Sequence, residues 1–431
     1  MERLLMKTLT TWKRGKRKNP LILYGPRHVG KTYLILDFAR RNYGDIFVCH
    51  PGQEKRQAAV FKKDRDPKRI IRELEALTNQ RITPGETLLF IDEIHECHEA
   101  LASLENFSDE APEYDVIAAS SLLALTISQE DFSFPFEKVF TLKLPPMSFK
   151  EFLLAAGQRR LVDEIENSYR FNFPVFGQLH ETALEFYRTY LQTGGMPACV
   201  DAWLRQKDFS FVQKLQEEIR DSYLEEMANY ATPYKTFRTA AVYRSIPDQL
   251  KKENKKFMYT LLQEGARAKS YEFSLDWLRK SGIVICSQKV REGKRPLMAY
   301  RDLQSIKLYH GDVGILTGTG GWEKSYFLSD SEERSEIRKA VAENYVAQEL
   351  SATGHVPYYW ESEGKAEIDF VIQQRDSVLP ISCKTSRSSK GKSFSVFLSK
   401  YALPLGIEIS EKNFALEGNI RTIPLYAAFC I

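Results

Sequence analysis

One eight-residue segment constrains the fold of this 431-residue chain more than any other part of its sequence. Residues 25–32 read GPRHVGKT and fit the pattern GxxxxGK followed by Ser or Thr. The apolar run Leu21 to Tyr24 precedes them, and apolar residues at helical spacing follow. In a strand–loop–helix unit of this kind, backbone N–H groups and a helix N-terminus surround phosphate oxygens. The segment therefore predicts a nucleotide-binding loop.

This phosphate loop assigns roles to its residues. Lys31 is expected to reach the β- and γ-phosphates of ATP, and Thr32 is expected to ligate Mg²⁺. The other residues of the loop are expected to contact the nucleotide as well; they are Gly25, Pro26, Arg27, His28, Val29 and Gly30. Arg27 adds a cation near the phosphates, although it could equally pair with a carboxylate.

Two carboxylates at the end of the next strand complete a site for phosphoryl transfer. Thr87 to Ile91 predicts a buried strand, and Asp92 and Glu93 follow it. Open α/β sheets place ligands at the carboxyl ends of their strands. Asp92 is therefore expected to hold Mg²⁺, usually through water, and Glu93 to polarise the attacking water. We interpret HECHE at 95–99 as helix surface, because one short cluster rarely makes a closed zinc site.

A further strand end supplies a candidate sensor of the γ-phosphate. Tyr114 to Ala119 predicts a strand that ends at Ser120 and Ser121. Ser121 is the sensor candidate, and a helix N-cap is its alternative role. With a last strand in 138–146, five strands alternate with helices. This alternation predicts a doubly wound parallel α/β sheet in a core of residues 1–158.

Length and cysteine usage limit the remaining possibilities. A chain of 431 residues predicts two to four domains. Its longest apolar run, Val116 to Ile127, is too short to span a membrane, and the N-terminus lacks a signal-peptide core. The six cysteines show no paired spacing, so we expect reduced thiols. The sequence thus predicts a cytoplasmic protein without a membrane partner.

Several segments resemble a family of prokaryotic AAA-type P-loop ATPases that carry a C-terminal, nuclease-like domain of unknown function. YGPRHVGKTYL and LFIDEIHEC are generic to P-loop ATPases, whereas MSFKEFL, GGMP and KLYHGDVGIL are more specific and occur in the same order. AENYVAQEL and AEIDFVI extend the resemblance towards the C-terminus. The resemblance implies binding and hydrolysis of ATP with Mg²⁺. Where many relatives have a glycine before the sensor-like serine, this chain has Ser120.

The same resemblance implies a helical lid over residues 159–238. Two predicted helices meet here at Gly194-Gly195-Met196-Pro197, a sequence typical of a sharp corner. In AAA proteins a lid at this position closes over the nucleotide and often donates an arginine. Arg188 and Arg205 are the candidate donors.

Residues 239–304 predict a winged-helix-like segment with two helices, over 245–263 and 270–282, and a hairpin turning at 291–296. From Lys251 to Arg301 the chain has thirteen Lys or Arg and five Asp or Glu, which gives 13 − 5 = +8. Such a surplus suggests DNA or RNA as a partner, with protein contacts as the open alternative. The candidate contacts are Arg279 and Lys280 in the second helix and Arg291, Lys294 and Arg295 in the wing.

Residues 305–431 predict an α/β restriction-endonuclease-like domain. Nucleases of the PD-(D/E)xK type hold a divalent metal ion with acids on a helix and on neighbouring strands, here Glu343 and Asp369. Lys384 corresponds to the lysine near the attacked phosphate, but Ser382 stands where a second central acid is usual.

A serine hydroxyl is a poor Mg²⁺ ligand beside a carboxylate, so retention of the fold without cleavage is favoured. Glu367 lies two residues before Asp369, about 6–7 Å along the strand, and cannot easily substitute for the missing acid. Glu361 and Glu363 in the preceding turn are alternative acids.

Three functions fit these features. The favoured one is an ATPase whose nucleotide state controls how the C-terminal half engages a partner. The alternatives are an ATP-gated, metal-dependent nuclease and a binder of nucleic acid or protein that merely holds nucleotide. An unknown protein partner and an oligomeric state both stay open.

Overall fold

The chain forms two compact units, Met1–Pro145 (unit 1) and Pro146–Ile431 (unit 2). This computed structural model describes residues 1–15, 18–128, 134–328, 335–362, 366–385 and 392–431. Unit 2 contains the segments predicted as lid, winged helix and nuclease-like domain, together with residues 146–158 of the predicted core. Among the described helices, none is both long and apolar enough to cross a membrane.

Unit 1 is built around a parallel sheet of five described strands. They are β1 Leu21–Tyr24, β2 Asp45–Cys49, β3 Thr87–Ile91, β4 Asp115–Ser120 and β5 Phe140–Lys143. Their order is β2-β3-β4-β1-β5, and all of the pairs are parallel. The predicted parallel α/β sheet is therefore confirmed.

Helices cover both faces of this sheet. They are α1 Leu5–Arg14, α2 Lys31–Asn42, α3 Lys55–Lys63, α4 Pro67–Thr78, α5 His98–Glu110 and α6 Leu123–Ile127. Strands β3 and β4 are buried along their whole length, as expected for central strands of a covered parallel sheet. Apolar side chains of the strands and helices, such as Phe47, Leu74 and Leu101, share one core with Ile22 of β1. The loops that carry the candidate site are therefore anchored to strands and helices that share a packed core.

Unit 2 begins with six helices. They are α7 Phe149–Ala155, α8 Arg159–Phe171, α9 Gly177–Thr193, α10 Pro197–Gln206, α11 Phe209–Tyr230 and α12 Pro233–Leu250. The predicted helix over 245–263 is wrong beyond Leu250. The residues that follow pack against the second sheet, described below, instead of extending the helix. Phe257 N–H donates to Ile306 O of that sheet at 2.8 Å, and Lys255 is buried.

The remainder of unit 2 contains an eight-stranded sheet. Its strands are β6 Val284–Val290, β7 Arg301–His310, β8 Tyr358–Glu361, β9 Glu367–Gln373, β10 Val378–Cys383, β11 Gly406–Ser410, β12 Ala415–Glu417 and β13 Ile420–Pro424. The helices among them are α13 Glu272–Lys280, α14 Val313–Thr319, α15 Ser325–Leu328, α16 Ser335–Ala352 and α17 Lys392–Tyr401. The strand order is β12-β13-β11-β10-β9-β8-β6-β7.

The hairpin predicted as a wing, β6 and β7, is the edge of this sheet. Strand β6 pairs with β7 on one side and with β8 on the other. Because its hydrogen bonds continue into the C-terminal strands, the hairpin does not stand apart as a wing.

The segments most specific to the family resemblance meet inside unit 2. Gly195 N–H donates to Asp312 Oδ2 at 2.6 Å, and a Cβ at Gly195 would lie 2.0 Å from Met147 O. Gln348 Nε2 donates to Tyr190 Oη at 2.8 Å and to Asp312 Oδ2 at 3.4 Å. These segments therefore encode a buried polar junction of the fold.

Candidate functional site

The phosphate loop joins β1 to α2, and its glycines are required by local geometry. A Cβ at Gly25 would lie 2.1 Å from Leu144 O, so no larger residue fits there. Gly30 has a φ of +89° and caps helix α2, which begins at Lys31. His28 also has a positive φ, +66°, and burial lowers its pKa together with the charges of Arg27 and Lys31.

Lys31 points into the loop. Its Nζ donates to the carbonyl oxygens of Gly25 and Pro26, each at 3.0 Å, and lies 3.8 Å from Glu93 Oε1. Only 5% of its side chain is exposed. The ammonium group thus contacts two neutral carbonyl oxygens, which a negatively charged phosphate can displace.

Thr32 and Asp92 lie together at the start of α2 and the end of β3. Thr32 Oγ1 donates to Asp92 Oδ2 at 3.1 Å and lies 3.3 Å from Oδ1. Burial and the neighbouring charge of Glu93 raise the pKa of Asp92, while the Thr32 hydrogen bond opposes them. A hydroxyl and a carboxylate fit the oxygen ligation that Mg²⁺ prefers.

Glu93 is held in a fixed position by its surroundings. Its φ of +44° is unusual for a residue other than glycine and is typical of a functional constraint. Oε2 accepts from the backbone N–H of Ser121 at 2.8 Å and lies 3.2 Å from His95 Nδ1. Burial raises the pKa of Glu93, but His95, Lys31 and the Ser121 N–H outweigh it and lower the pKa to about 2. The carboxylate is therefore ionised at neutral pH.

Ser121 thus reaches the site through its backbone, whereas the sequence suggested its side chain. Two histidines at the site were missed. His95, interpreted as helix surface, has a largely buried side chain beside Glu93, and His50 Nδ1 lies 3.9 Å from Asp92 Oδ2. The strand-end rule could have found His50, because it follows β2, the neighbour of β3.

The candidate lid arginines have carboxylate partners within unit 2. Arg188 Nη2 lies 3.3 Å from Glu411 Oε2, and Arg205 Nε lies 2.9 Å from Asp201 Oδ2.

Most of the candidate nucleic-acid contacts also have acidic partners. Arg279 and Lys280 both pair with Asp276, at 2.9 and 2.6 Å. Lys294 pairs with Glu292, and Arg295 Nη1 lies 3.6 Å from Asp376 Oδ1. Within the described residues Arg291 has no side-chain ion pair. The basic surplus of this segment is therefore partly neutralised on the surface.

The C-terminal candidates Glu343 and Asp369 do come together, but lysines lie with them. Lys255 Nζ lies 2.6 Å from Glu343 Oε1, and Lys339 Nζ lies 3.5 Å from both Glu343 Oε1 and Asp369 Oδ1. Burial raises the pKa of Asp369, but Lys339, Lys307 and Lys255 outweigh it and hold the pKa well below its usual range.

Uncharged hydrogen-bond donors also contact the carboxylates of Glu343 and Asp369. Tyr309 Oη donates to Glu343 Oε2 at 3.3 Å. Ser382 Oγ and the backbone N–H of Cys383 donate to Asp369 Oδ2 at 2.9 and 2.8 Å. In the described part of the chain, no group of three or more His, Cys, Asp or Glu side chains is arranged to hold a metal ion.

The remaining acids named for this site also pair with lysines. Glu367 binds Lys307, and Glu361 Oε2 lies 2.6 Å from Lys256 Nζ and 3.3 Å from Lys289 Nζ. Glu363 lies outside the described residues. Lys384 follows β10 and makes no side-chain hydrogen bond or ion pair within the described residues.

Comparison with protein families gives three matches. Residues 17–153 match a family described as "AAA domain". Residues 184–351 match "Domain of unknown function (DUF8612)", and residues 338–428 match "Domain of unknown function (DUF4143)". The first match spans the phosphate loop, Asp92 and Glu93. Unit 1 is an AAA-type P-loop ATPase domain. The predicted nuclease-like domain is not confirmed, because the families that match unit 2 have no assigned function.

Solved structures give distant similarities to this ATPase. The Walker-type ATPase of Pyrococcus abyssi is 15% identical, with a TM-score of 0.47, over 74% of this chain and 95% of that one. The ORC2 protein of Aeropyrum pernix is 12% identical, with a TM-score of 0.37, over 79% and 94%. The RuvB Holliday junction branch migration motor of Thermotoga maritima is 15% identical, with a TM-score of 0.31, over 66% and 89%. A comparison with curated protein sequences found no significant match.

Proposed function

We propose that unit 1 binds Mg-ATP through residues 25–32 and hydrolyses it with Glu93 as the group that orients water. The observation that carries this proposal is the convergence of Lys31, Thr32, Asp92 and Glu93 within one set of contacts. Phosphoryl transfer depends mainly on positioning and charge neutralisation, and these four side chains supply both.

Each group has a distinct task in this proposal. When bound, Mg²⁺ would neutralise phosphate charge, with Thr32 and Asp92 as the residues that hold it. The Lys31 ammonium would leave the loop carbonyls for the β- and γ-phosphates. Glu93, ionised and held by the Ser121 N–H, would accept a hydrogen bond from the attacking water.

The decisive experiment is ATP turnover by Lys31→Ala, with Lys68→Ala as a matched control on the exposed face of α4. Loss of the ammonium group should abolish hydrolysis, whereas the control should keep the rate of the unmodified protein. Equal turnover by Lys31→Ala and Lys68→Ala would refute the assignment of the site.

We further propose that the nucleotide state controls how unit 2 engages a partner. The support comes from the segment that leads from β5 towards unit 2. Arg3, 5% exposed, donates from Nη1 to Val29 O of the phosphate loop at 2.8 Å and from Nη2 to Pro145 O at 2.7 Å. Leu144 also contacts the loop, because its carbonyl closes on Gly25. A shift of the loop on binding ATP would therefore be transmitted to the connecting segment.

Arg3→Met tests this coupling, with the exposed Arg40→Met on α2 as control. We expect a non-hydrolysable ATP analogue to change the proteolysis pattern of unit 2 in the unmodified protein and in Arg40→Met, and to change it much less in Arg3→Met. An undiminished response in Arg3→Met would contradict the role of this contact.

DNA or RNA as the partner is supported only by the +8 charge of residues 251–301, and the ion pairs of Arg279, Lys280 and Arg295 reduce that support. ATP turnover with and without DNA, RNA and candidate proteins would identify the ligand class through stimulation. Phosphate contacts by this segment would also make binding fall steeply with salt concentration. The nuclease alternative gains no support from the acids of unit 2, because lysines pair with them.

A further inference from the structure

The acids that would bind a metal ion in unit 2 lie in a cluster whose charges are already balanced. This acid–lysine cluster consists of three carboxylates and three ammonium groups, those of Glu343, Glu367 and Asp369 and of Lys255, Lys307 and Lys339. Glu343 and Asp369 are almost fully buried, as are Lys255 and Lys307. Ionised groups tolerate such burial only when opposite charges accompany them.

Lys339 has the central position in the cluster. Its Nζ is 3.5 Å from Glu343 Oε1 and 3.5 Å from Asp369 Oδ1, so that one cation bridges the two acids. We propose that the Lys339 ammonium replaces a divalent cation between Glu343 and Asp369, and that the eight-stranded sheet carries a metal-free ion cluster. The inference does not depend on ATP hydrolysis by unit 1.

The hydrogen bonds around the two acids leave little for a metal ion to bind. Glu343 Oε1 faces Lys255 and Lys339, and its Oε2 accepts from Tyr309. Asp369 Oδ1 faces Lys339, and its Oδ2 accepts from Ser382 and the Cys383 N–H. All four carboxylate oxygens therefore have a protein donor or ammonium group within 3.5 Å. A divalent ion would have to displace Lys339 and withstand repulsion from Lys255.

The cluster also joins distant parts of unit 2. Lys255 follows α12, Glu343 and Lys339 lie on α16, and Asp369 lies on β9. A metal ion commonly ties such segments together, and here ion pairs do so. We therefore assign any requirement of the protein for Mg²⁺ to the nucleotide site, and we expect the C-terminal sheet to keep its structure without metal.

The proposal is tested by measuring Mn²⁺ binding to the full-length, nucleotide-free protein with electron paramagnetic resonance. Lys339→Met removes the bridging charge and keeps an apolar stem, while Lys412→Met, at an exposed position after strand β11, is a matched control. We expect Lys339→Met to gain an Mn²⁺ site at least tenfold tighter than any in the unmodified protein. Adding Asp369→Asn to Lys339→Met should abolish that gain, and Lys412→Met should show none.

The unmodified protein provides a second and independent test. Its Mn²⁺ binding should be the same with and without Asp369→Asn, and Ser382→Glu alone should not create a tight site while Lys339 is present. Mn²⁺ binding that Asp369→Asn weakens in the otherwise unmodified chain would overturn the proposal. A folded Lys339→Met, checked by circular dichroism, that gains no Mn²⁺ would overturn it as well.

Discussion

The nucleotide site of unit 1 and the acid–lysine cluster of unit 2 combine the same kinds of residue in opposite ways. In unit 1, Lys31 is held by two carbonyl oxygens, and Asp92 accepts a hydrogen bond from the Thr32 hydroxyl. In unit 2, Lys255 and Lys339 lie directly against Glu343. In unit 1, the Lys31 ammonium and the Asp92 carboxylate make hydrogen bonds to uncharged groups, and the Lys31–Glu93 ion pair is 3.8 Å long. In unit 2, each of the two acids faces a lysine at 2.6–3.5 Å.

This difference separates a binding site from a structural cluster although both bring acids and lysines together. A buried charge costs free energy unless it is paired, so a site that awaits a charged ligand is less stable than it would otherwise be. The raised pKa of Asp92 and the strongly lowered pKa of Asp369 express this contrast. Removing an acid should therefore destabilise unit 2 strongly and unit 1 only slightly.

The largest effect is expected from Glu343→Gln in the cluster. The change keeps the shape of the side chain but leaves Lys255 buried without its counter-charge. We expect the free energy of unfolding of unit 2 to fall by about 3–5 kcal/mol, measured by urea denaturation. Glu336→Gln, at an exposed position of the same helix, is the control.

A double variant sharpens this test. Glu343→Gln with Lys255→Met removes both members of the pair and should recover part of the lost stability, because no unpaired buried charge remains. If Glu343→Gln were as stable as Glu336→Gln, the cluster would not stabilise the sheet.

Asp92→Asn in unit 1 should weaken Mg²⁺ binding without destabilising the protein. Because the folded state raises the pKa of Asp92, its charged form is disfavoured by folding, and a neutral amide at this position costs little. The apparent Mg²⁺ affinity in ATP turnover should fall about 10–100-fold, the range for residues that hold a metal through a second layer of contacts. Asp37→Asn, on α2, is the control. A large loss of stability in Asp92→Asn would mean that removing an acid costs as much in unit 1 as in unit 2.

The sequence predicted much of unit 1 because its signals are local. The glycine pattern places residues 25–32, and the rule for strand ends places Asp92 and Glu93. The position of Ser121 at a strand end was also predictable, but the use of its backbone N–H depends on the conformation of Glu93, whose φ is +44°.

Unit 2 was harder to predict because its contacts are distant in sequence. Lys255 lies 88 residues from Glu343, and its charge was interpreted as part of a nucleic-acid surface although the side chain is buried. Lys339 was within reach of sequence reasoning, since it precedes Glu343 by one helical turn. The sequence predicted a hairpin that turns at 291–296, but Leu297–Tyr300 form a short 3-10 helix and the second strand, β7, begins only at Arg301. The pairing of β6 with C-terminal strands has no local signal.

Glu349 offers a third environment for an acid, six residues after Glu343 on α16. It is fully buried, its Oε1 accepts from Phe149 N–H at 2.8 Å, and among the residues that the structure describes no lysine forms an ion pair with it. Burial raises its pKa from 4.5 to about 8. Between these values the unfolded chain is ionised while the folded protein keeps its proton, so stability falls as the pH rises from about 4.5 to 8.

Glu349→Gln should remove this part of the pH dependence. The variant should gain stability relative to the unmodified protein as the pH rises from 5 to 8, by at most about 1.4 kcal/mol per pH unit. Urea denaturation at several pH values would measure the difference, with Glu336→Gln as control. Parallel stability curves for Glu349→Gln and the unmodified protein would mean that Glu349 is already ionised when folded.

The smallest effect is expected from His95→Gln, which tests how Glu93 is held. The imidazole lies 3.2 Å from Glu93 Oε2, but the Ser121 N–H at 2.8 Å remains when the imidazole is removed. We therefore expect kcat for ATP hydrolysis to fall by about tenfold or less, a barrier change of about 1.4 kcal/mol at most. KM for ATP should be unchanged, because His95 acts through Glu93 and not on the phosphates. His98→Gln, at an exposed position of the same HECHE segment, should leave kcat unaltered, and an equal response of the two variants would mean that His95 does not position Glu93.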